Sequence, residues 1–201
     1  MTIQRFAPVL STAANVFTRD NRAAAVQAAL LNQAAQTAEY SNILGIWPQI
    51  RSYENDPTEI AIPFVWGPTN FNSGLRLGFA AIVNAGASLP AGNYAYSLGT
   101  IADNAHRAFL ELYTVSDTTI TLVQTIFSNF IAGSLDPNIP QSPPFNWQFL
   151  RSSSGTFTTT TAGILVLSYE VQNYNTTPGL PDTDNPAMLS FGFQLFRDLN
   201  P

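Results

Sequence analysis

Apolar and polar residues alternate along most of the chain beyond residue 58, and this period of two predicts β-strands. Residues 108–115 and 119–127 are two such strands separated by Ser-Asp-Thr, which predicts a hairpin. Apolar residues point to both sides of its first strand, which indicates an interior strand covered on both faces. The last strand, 188–196, has one continuous apolar face made of Leu189, Phe191, Phe193 and Leu195.

Six further strands bring the predicted total to about nine, at residues 59–66, 74–83, 93–101, 145–150, 156–160 and 164–172. The fold class that follows is mainly β: a single antiparallel β-sandwich, jelly-roll-like, with an N-terminal arm and one Ala-rich α-helix. Residues 1–42 are predicted to form the arm and the helix, and residues 43–201 the sandwich domain.

One segment has a helical pattern. Asp20 or Asn21 is a suitable N-cap for a helix from residue 22 to about residue 40, which holds eight Ala between residues 23 and 38. Val26, Leu30 and Ala34 lie four residues apart on one narrow face of small side chains, which allows close backbone approach. The helix therefore packs either on its own sheet or on other copies around an oligomer axis.

The first nineteen residues are too apolar for a solvated tail and show no clear period. They predict an arm that lies along a surface, either of this chain or of a neighbour. Together with the helical stripe, the arm supplies the predicted interface residues, which are Phe6, Val9, Leu10, Val26, Leu30 and Ala34.

The composition narrows the classes of partner. Only 10% of the residues are charged, against about 25% in an average domain. The net charge of −5 and the scattered Arg residues argue against a nucleic-acid partner. No run of 18 apolar residues predicts a membrane span, and the N-terminus lacks the pattern of a signal peptide, from which we expect a chain that begins inside a cell. The absence of Cys excludes thiol chemistry and disulfides.

Two strand entries carry a family resemblance: PAGNYAYSLG at residues 90–99 and FTTTTAGILVLSYEV at residues 157–171. They resemble jelly-roll sandwiches, among them carbohydrate-binding modules and phage decoration, cement or tail-fibre domains. The resemblance implies a fold class and assigns no functional residue.

Catalytic candidates are few. The single His, His106, would need Asp103 as its orienting group, but no nucleophile motif accompanies them, and a surface or loop histidine is the favoured interpretation. Glu111 and Glu170 are the best pair for glycoside hydrolysis, although each is expected to face solvent or to meet an Arg. No motif for a nucleotide cofactor or zinc occurs. We therefore predict a protein that is not an enzyme and has no cofactor.

Two groups of residues are candidate binding sites, and each also has an ordinary structural interpretation. Asp182, Asp184 and Asn185 supply oxygen ligands of the kind calcium prefers, but a plain turn is favoured over a metal site. Trp66 and Trp147 lie near Pro and Gly bends, and they are candidates for stacking on a sugar if their rings are exposed.

The main functional hypothesis is a structural subunit of an assembled particle, of the capsid decoration, cement or fibre type. It predicts a homo-oligomer, with a trimer as the example, that adheres to a lattice protein in a virion assembled in the host cytoplasm. The alternative is a carbohydrate-binding sandwich module with a glycan partner, for which an extracellular location is expected.

Overall fold

A computed structural model of the chain describes residues 2–40, 63–67, 73–138, 150–175 and 187–199. Within these ranges the strands form two antiparallel sheets that face each other, as the alternation predicts. Among the described residues, no helix has the length and hydropathy to cross a bilayer.

The seven-stranded sheet has β12 and β7 at its centre. Its members are β1 (Ile3–Arg5), β2 (Val9–Leu10), β4 (Ala38–Tyr40), β5 (Phe64–Trp66), β7 (Gly92–Asp103), β10 (Arg151–Thr159) and β12 (Met188–Asp198). β7 pairs with β10 on one side and with β12 on the other. Along the far side of β12, the short strands β5, β2 and β1 follow one another, and β4 pairs with β5. The predicted N-terminal arm is thus built into the sandwich.

The five-stranded sheet runs in the order β3, β6, β11, β8, β9. Its bounds are Val16–Arg19 for β3, Arg76–Ile82 for β6, Ala105–Ser116 for β8, Thr119–Ala132 for β9 and Ile164–Gln172 for β11. β8 and β9 form the predicted hairpin, and β8 is an interior strand, as expected. Twelve strands lie in the described ranges, and eight of them match predicted strands; β1 to β4 were not predicted, because pieces of two to four residues carry too little pattern. The ninth predicted strand, 145–150, lies almost wholly outside the described residues.

The main core lies between the two sheets. The predicted apolar face of the last strand is confirmed, since its four members are at most 2% exposed. They meet side chains of the other sheet, and the rings of Tyr169 and Phe191 stack at 5.2 Å. A second, smaller core forms where the helix packs on the outer face of the five-stranded sheet.

Helix α1 (Arg22–Leu30) is shorter than predicted. Asn21 caps it as expected, with its Oδ1 accepting from the Ala24 amide at 2.9 Å. The helix ends at Leu30 because the next residues bond to β3 instead: the Thr18 amide donates to the Ala35 carbonyl at 2.9 Å. Arg19 donates to the carbonyls of Ala34 and Ala35 as well. The Ala-rich sequence still predicts a helix beyond Leu30, but these hydrogen bonds with Thr18 and Arg19 end the helix there.

The start of α1 passes directly over Gly78 of β6. A Cβ atom at this position would lie 2.1 Å from the Asn21 carbonyl carbon and 2.2 Å from the Arg22 nitrogen. Only glycine leaves room for the helix to approach the sheet so closely.

Strand β9 ends the five-stranded sheet, and none of its fourteen residues is charged. Its register against β8 shifts at three places. At each shift β9 has one residue more than β8, so the ladder skips Val123, Ile126 and Asn129. These shifts are β-bulges, which bend and twist the strand.

Candidate binding site

The two outer faces of the sandwich differ in what covers them. Helix α1 packs on β3, β6 and β11, and buries Ala80 and Val166 of the five-stranded sheet beneath it. Beside the helix, Arg22 contacts Glu111, and its guanidinium lies 3.9 Å from the centre of the Phe109 ring. The helix and these contacts of Arg22 therefore cover much of the outer face of the five-stranded sheet.

On the outer face of the seven-stranded sheet, no described element packs over the outward residues of β7, β10 and the second half of β12, and we call this part the open face. Because side chains alternate along a strand, this open face consists of the residues between the buried ones. It carries mostly small or hydroxyl-bearing side chains: Asn93, Ala95, Ser97 and Gly99 from β7; Ser152, Ser154, Thr156 and Thr158 from β10; Gly192, Gln194, Phe196 and Asp198 from β12. All are half-buried or exposed.

A depression of about 680 Å³ lies at one end of the open face. Ala95 lies at its centre, opposite Thr156 of β10 on one side and opposite Phe196 of β12 on the other. The small Ala95 side chain between larger neighbours creates the hollow, which we call the Ala95 depression. Its lining residues are Ile3, Asn93, Tyr94, Ala95, Thr156, Phe157, Thr158, Phe196, Arg197 and Asp198.

Polar groups surround the half-buried Phe196 ring. Thr158 Oγ1 donates to Asn93 Oδ1 at 2.7 Å, which fixes the amide and directs its Nδ2 donors elsewhere. Asp198 adds a carboxylate that accepts hydrogen bonds at the same end. An aromatic ring with amide, hydroxyl and carboxylate groups around it suits a polyol that has an apolar face and a polar rim.

A shallow trough continues from the depression along β7. Gly99 and Gly192 are directly opposite each other, so two neighbouring positions of the face lack side chains. Leu150, which is 64% exposed, reaches over this spot, with its Cδ1 atom 3.2 Å from where a Gly99 Cβ would lie.

The tryptophan predicted to stack on a sugar is a core residue. Trp66 is fully buried between the sheets, and its ring lies 5.4 Å from that of Phe79. The stacking prediction for Trp66 is therefore wrong, because the nearby Pro and Gly bends do not bring the ring to the surface. Trp147 and the calcium candidates Asp182, Asp184 and Asn185 lie outside the described residues.

The predicted interface residues are mostly buried within this chain. Phe6 and Val9 join the main core, whereas Val26 and Leu30 pack under α1. Leu10 is half-buried in β2, opposite Gly192. Ala34 is exposed but lies beyond the end of the helix. Four of the six predicted interface residues thus pack on the sheets of their own chain.

His106 and Asp103 do not form a catalytic pair. His106 is a buried strand residue that packs against Tyr169, so the prediction of a surface or loop histidine is wrong. Burial, with Arg151 nearby, lowers the pKa of His106 to about 4. Burial raises the pKa of Asp103 to about 8, although a hydrogen bond from Asn104 opposes the rise.

The two glutamates are too far apart for glycoside hydrolysis. Glu111 is opposite Val166, and Glu170 lies four residues further along the same strand, a separation of about 14 Å. Paired catalytic carboxyls are about 5 to 10 Å apart. Each glutamate meets an Arg, as expected: Glu111 contacts Arg22 at 2.6 Å, and Glu170 contacts Arg107 at 3.8 Å. Among the described residues, no group of three metal-ligating side chains occurs.

The depression was not predicted from the sequence. The signal was present in the last strand, whose second face carries Ser190, Gly192, Gln194 and Phe196. The alternation places Phe196 outside, but only the strand order brings it beside Ala95 and Thr156.

These features define a β-sandwich domain with one covered and one open outer face. No family model matches the chain, and no curated protein matches it significantly. One similar solved structure is the CBM22-2 xylan-binding domain from Paenibacillus barcinonensis Xyn10C, with 9% identity and a TM-score of 0.34, covering 67% of this chain and 76% of that one. Another is the Arthrobacter globiformis T6 isomalto-dextranase complexed with panose, with 12% identity and a TM-score of 0.31, covering 67% of this chain and 18% of that one. A likeness at this level carries no argument about function.

Proposed function

We propose that this chain is a non-catalytic carbohydrate-binding β-sandwich module, and that the open face of its seven-stranded sheet is the binding surface. The observation that carries the proposal is the Ala95 depression, where the Phe196 ring lies among Asn93, Thr158 and Asp198. The ring would support the C–H face of a pyranose. The polar groups would bond to its hydroxyls.

The chemistry of the open face supports a sugar over other ligands. The net charge of −5 and the scattered Arg residues disfavour nucleic acid as the ligand. The face carries mainly Ser, Thr, Asn and Gly, together with the apolar side chains Ile3, Leu150 and Phe196. A hydroxyl-rich surface with a partly exposed aromatic ring suits the apolar face and the polar rim of a sugar.

The test is affinity electrophoresis against a panel of plant and microbial polysaccharides, followed by calorimetry with hexasaccharides of any that retard the protein. Phe196→Ala should weaken binding at least tenfold by removing the stacking surface. Ala95→Gln should weaken it as much by filling the depression. Thr121→Gln, at an exposed position of β9 in the other sheet, is the matched control and should bind as the wild type.

Loss of affinity in Thr121→Gln equal to that in Ala95→Gln would contradict the assignment of the site. A wild-type protein that no polysaccharide retards would contradict the proposed function. Circular dichroism spectra and melting temperatures of the variants show whether each one is folded.

The particle-subunit hypothesis drew in part on the arm and the helix, and most of their predicted interface residues are buried within the chain. We therefore do not propose it as the function. The homo-oligomer, the lattice partner and the virion or extracellular location stay predictions, which light scattering and localisation experiments address.

A further inference from the structure

We propose that the open face selects acidic sugars, and that Arg5 recognises the carboxylate of a uronate residue. This inference rests on the proposed function and deepens it, because it names the class of glycan. It is carried by the position of Arg5, by how its guanidinium is held, and by the groups it leaves available.

Arg5 lies beside Phe196, which is one of the lining residues of the Ala95 depression. It is opposite Phe196 in the pairing of β1 with β12, and residues opposite each other in antiparallel strands point to the same face. One row across the sheet therefore runs through Thr156, Ala95, Phe196 and Arg5. A sugar on the Phe196 ring would have the guanidinium at its side.

The Arg5 side chain is held by Gln194. Its Nε donates to Gln194 Oε1 at 3.0 Å. The Gln194 amide is itself anchored, since its Nε2 donates to the Phe6 carbonyl at 2.6 Å and more weakly to the Leu195 carbonyl at 3.3 Å. An amide with its nitrogen on two carbonyls must offer its oxygen to Arg5, so the guanidinium is oriented before any ligand arrives.

Arg5 also keeps its terminal nitrogens available, which most other arginines do not. Arg19, Arg76 and Arg197 donate their terminal nitrogens to main-chain carbonyls. Arg22 and Arg107 pair with glutamates. Within the part of the chain that the structure describes, Arg5 donates only through Nε. Its two terminal nitrogens form the planar fork that binds a carboxylate through two hydrogen bonds.

Asp198 gives the site a direction. It lies on the same face as Phe196 and is opposite Ile3, diagonally about 7 to 8 Å from Arg5. A ligand carboxylate is repelled by the acidic side chain of Asp198 and attracted to Arg5. A uronate would therefore bind with its acid group over β1, away from the end of β12.

The experiment compares each acidic sugar with its own neutral ester. Trigalacturonate and trimannuronate, each with its methyl ester, are titrated by calorimetry into the wild type, Arg5→Gln, Arg5→Lys and the control Arg107→Gln. We expect the wild type to bind at least one acid about tenfold more tightly than its ester. Arg5→Gln should bring this ratio close to one, because it weakens binding of the acid much more than binding of the ester.

Arg5→Lys should retain only part of the preference, because an ammonium keeps the charge but not the fork. Arg107→Gln should keep the whole preference. The inference is overturned if no acid binds better than its ester, or if Arg5→Gln leaves the ratio unchanged. If neutral oligosaccharides from the polysaccharide panel bind in a manner that depends on Phe196 while the acids show no advantage, the inference fails and the proposed function stands. If no glycan of either experiment binds, both fail.

Discussion

Arg22 at the start of α1 donates to Glu111 of β8 across 2.6 Å, and this contact ties the helix to the middle of the five-stranded sheet. Tyr113 donates to the same carboxylate oxygen at 2.7 Å, and Ser168 lies 3.2 Å from the guanidinium. Glu111 is 5% exposed, so these partners rather than water stabilise its carboxylate.

Arg22→Ala should lower the free energy of unfolding by about 3 kcal/mol, because it leaves a buried carboxylate without its cation. Urea denaturation measures the change. Arg107→Ala, which breaks the more exposed pair with Glu170, is the control and should cost less than about 1 kcal/mol. Equal losses in the two variants would show that the Arg22 contact is no stronger than a surface pair.

Stability should fall as the pH rises from about 6.5 to 8.5. Folded Asp103 keeps its proton up to a pKa of about 8, whereas an unfolded Asp loses it near 3.8, so its contribution is full below 3.8 and lost through 8. His106 makes stability rise with pH between about 4 and 6.5, because in this range only the unfolded chain binds a proton on its imidazole. Above 6.5 Asp103 acts alone, with a slope of at most about 1.4 kcal/mol per pH unit.

Asp103→Asn should abolish this decline, because the substituted amide does not titrate. Its Oδ1 still accepts from Asn104. Melting temperatures at pH 6.5, 7.5 and 8.5 measure the effect, with Asp117→Asn in the β8–β9 turn as the control that keeps the wild-type decline. A decline of the same size in Asp103→Asn would assign it to another group.

Gly78→Ala should cost about 2 to 3 kcal/mol, because the new methyl group overlaps the backbone at the start of α1. Gly99→Ala is the matched control: its methyl group meets only the exposed Leu150 side chain, which can move. Thermal or urea unfolding compares them. A Gly78→Ala protein as stable as Gly99→Ala would mean that the helix start shifts freely.

Trp66→Phe should destabilise the fold by about 1 to 3 kcal/mol and leave glycan affinity unchanged, because Trp66 packs against Phe79 inside the core. Urea denaturation and calorimetry on the folded protein separate the two effects. Phe196→Ala should show the reverse pattern. A Trp66→Phe protein of full stability with weakened binding would show that Trp66 belongs to the binding site.

The long strands could be predicted because their alternation is local. β11 was predicted with its observed bounds, 164–172, and the last strand with its apolar face. The helix was predicted ten residues too long, because Ala propensity continues where bonds from Thr18 and Arg19 end the helix. The short strands β1, β2 and β5 form only because β12 is there to pair with them.

The candidate site depended on information that is not local. Phe196 and Ala95 are about a hundred residues apart, and only the pairing of β12 with β7 makes them neighbours. Trp66 looked exposed because of its flanking residues, whereas its environment is set by Phe79 from the other sheet. Sequence patterns give the face of a residue, but strand order decides which residues share it.

The three bulges of β9 also bear on solubility. A long, uncharged edge strand is a template on which a second chain can add, and many proteins prevent this with lysines that this chain does not have. The displaced residues Val123, Ile126 and Asn129 interrupt the regular spacing of amide and carbonyl groups that an incoming strand would need. In this chain, which has few charged residues, the bulges in the backbone of β9 thus hinder pairing of a second chain with its longest edge strand.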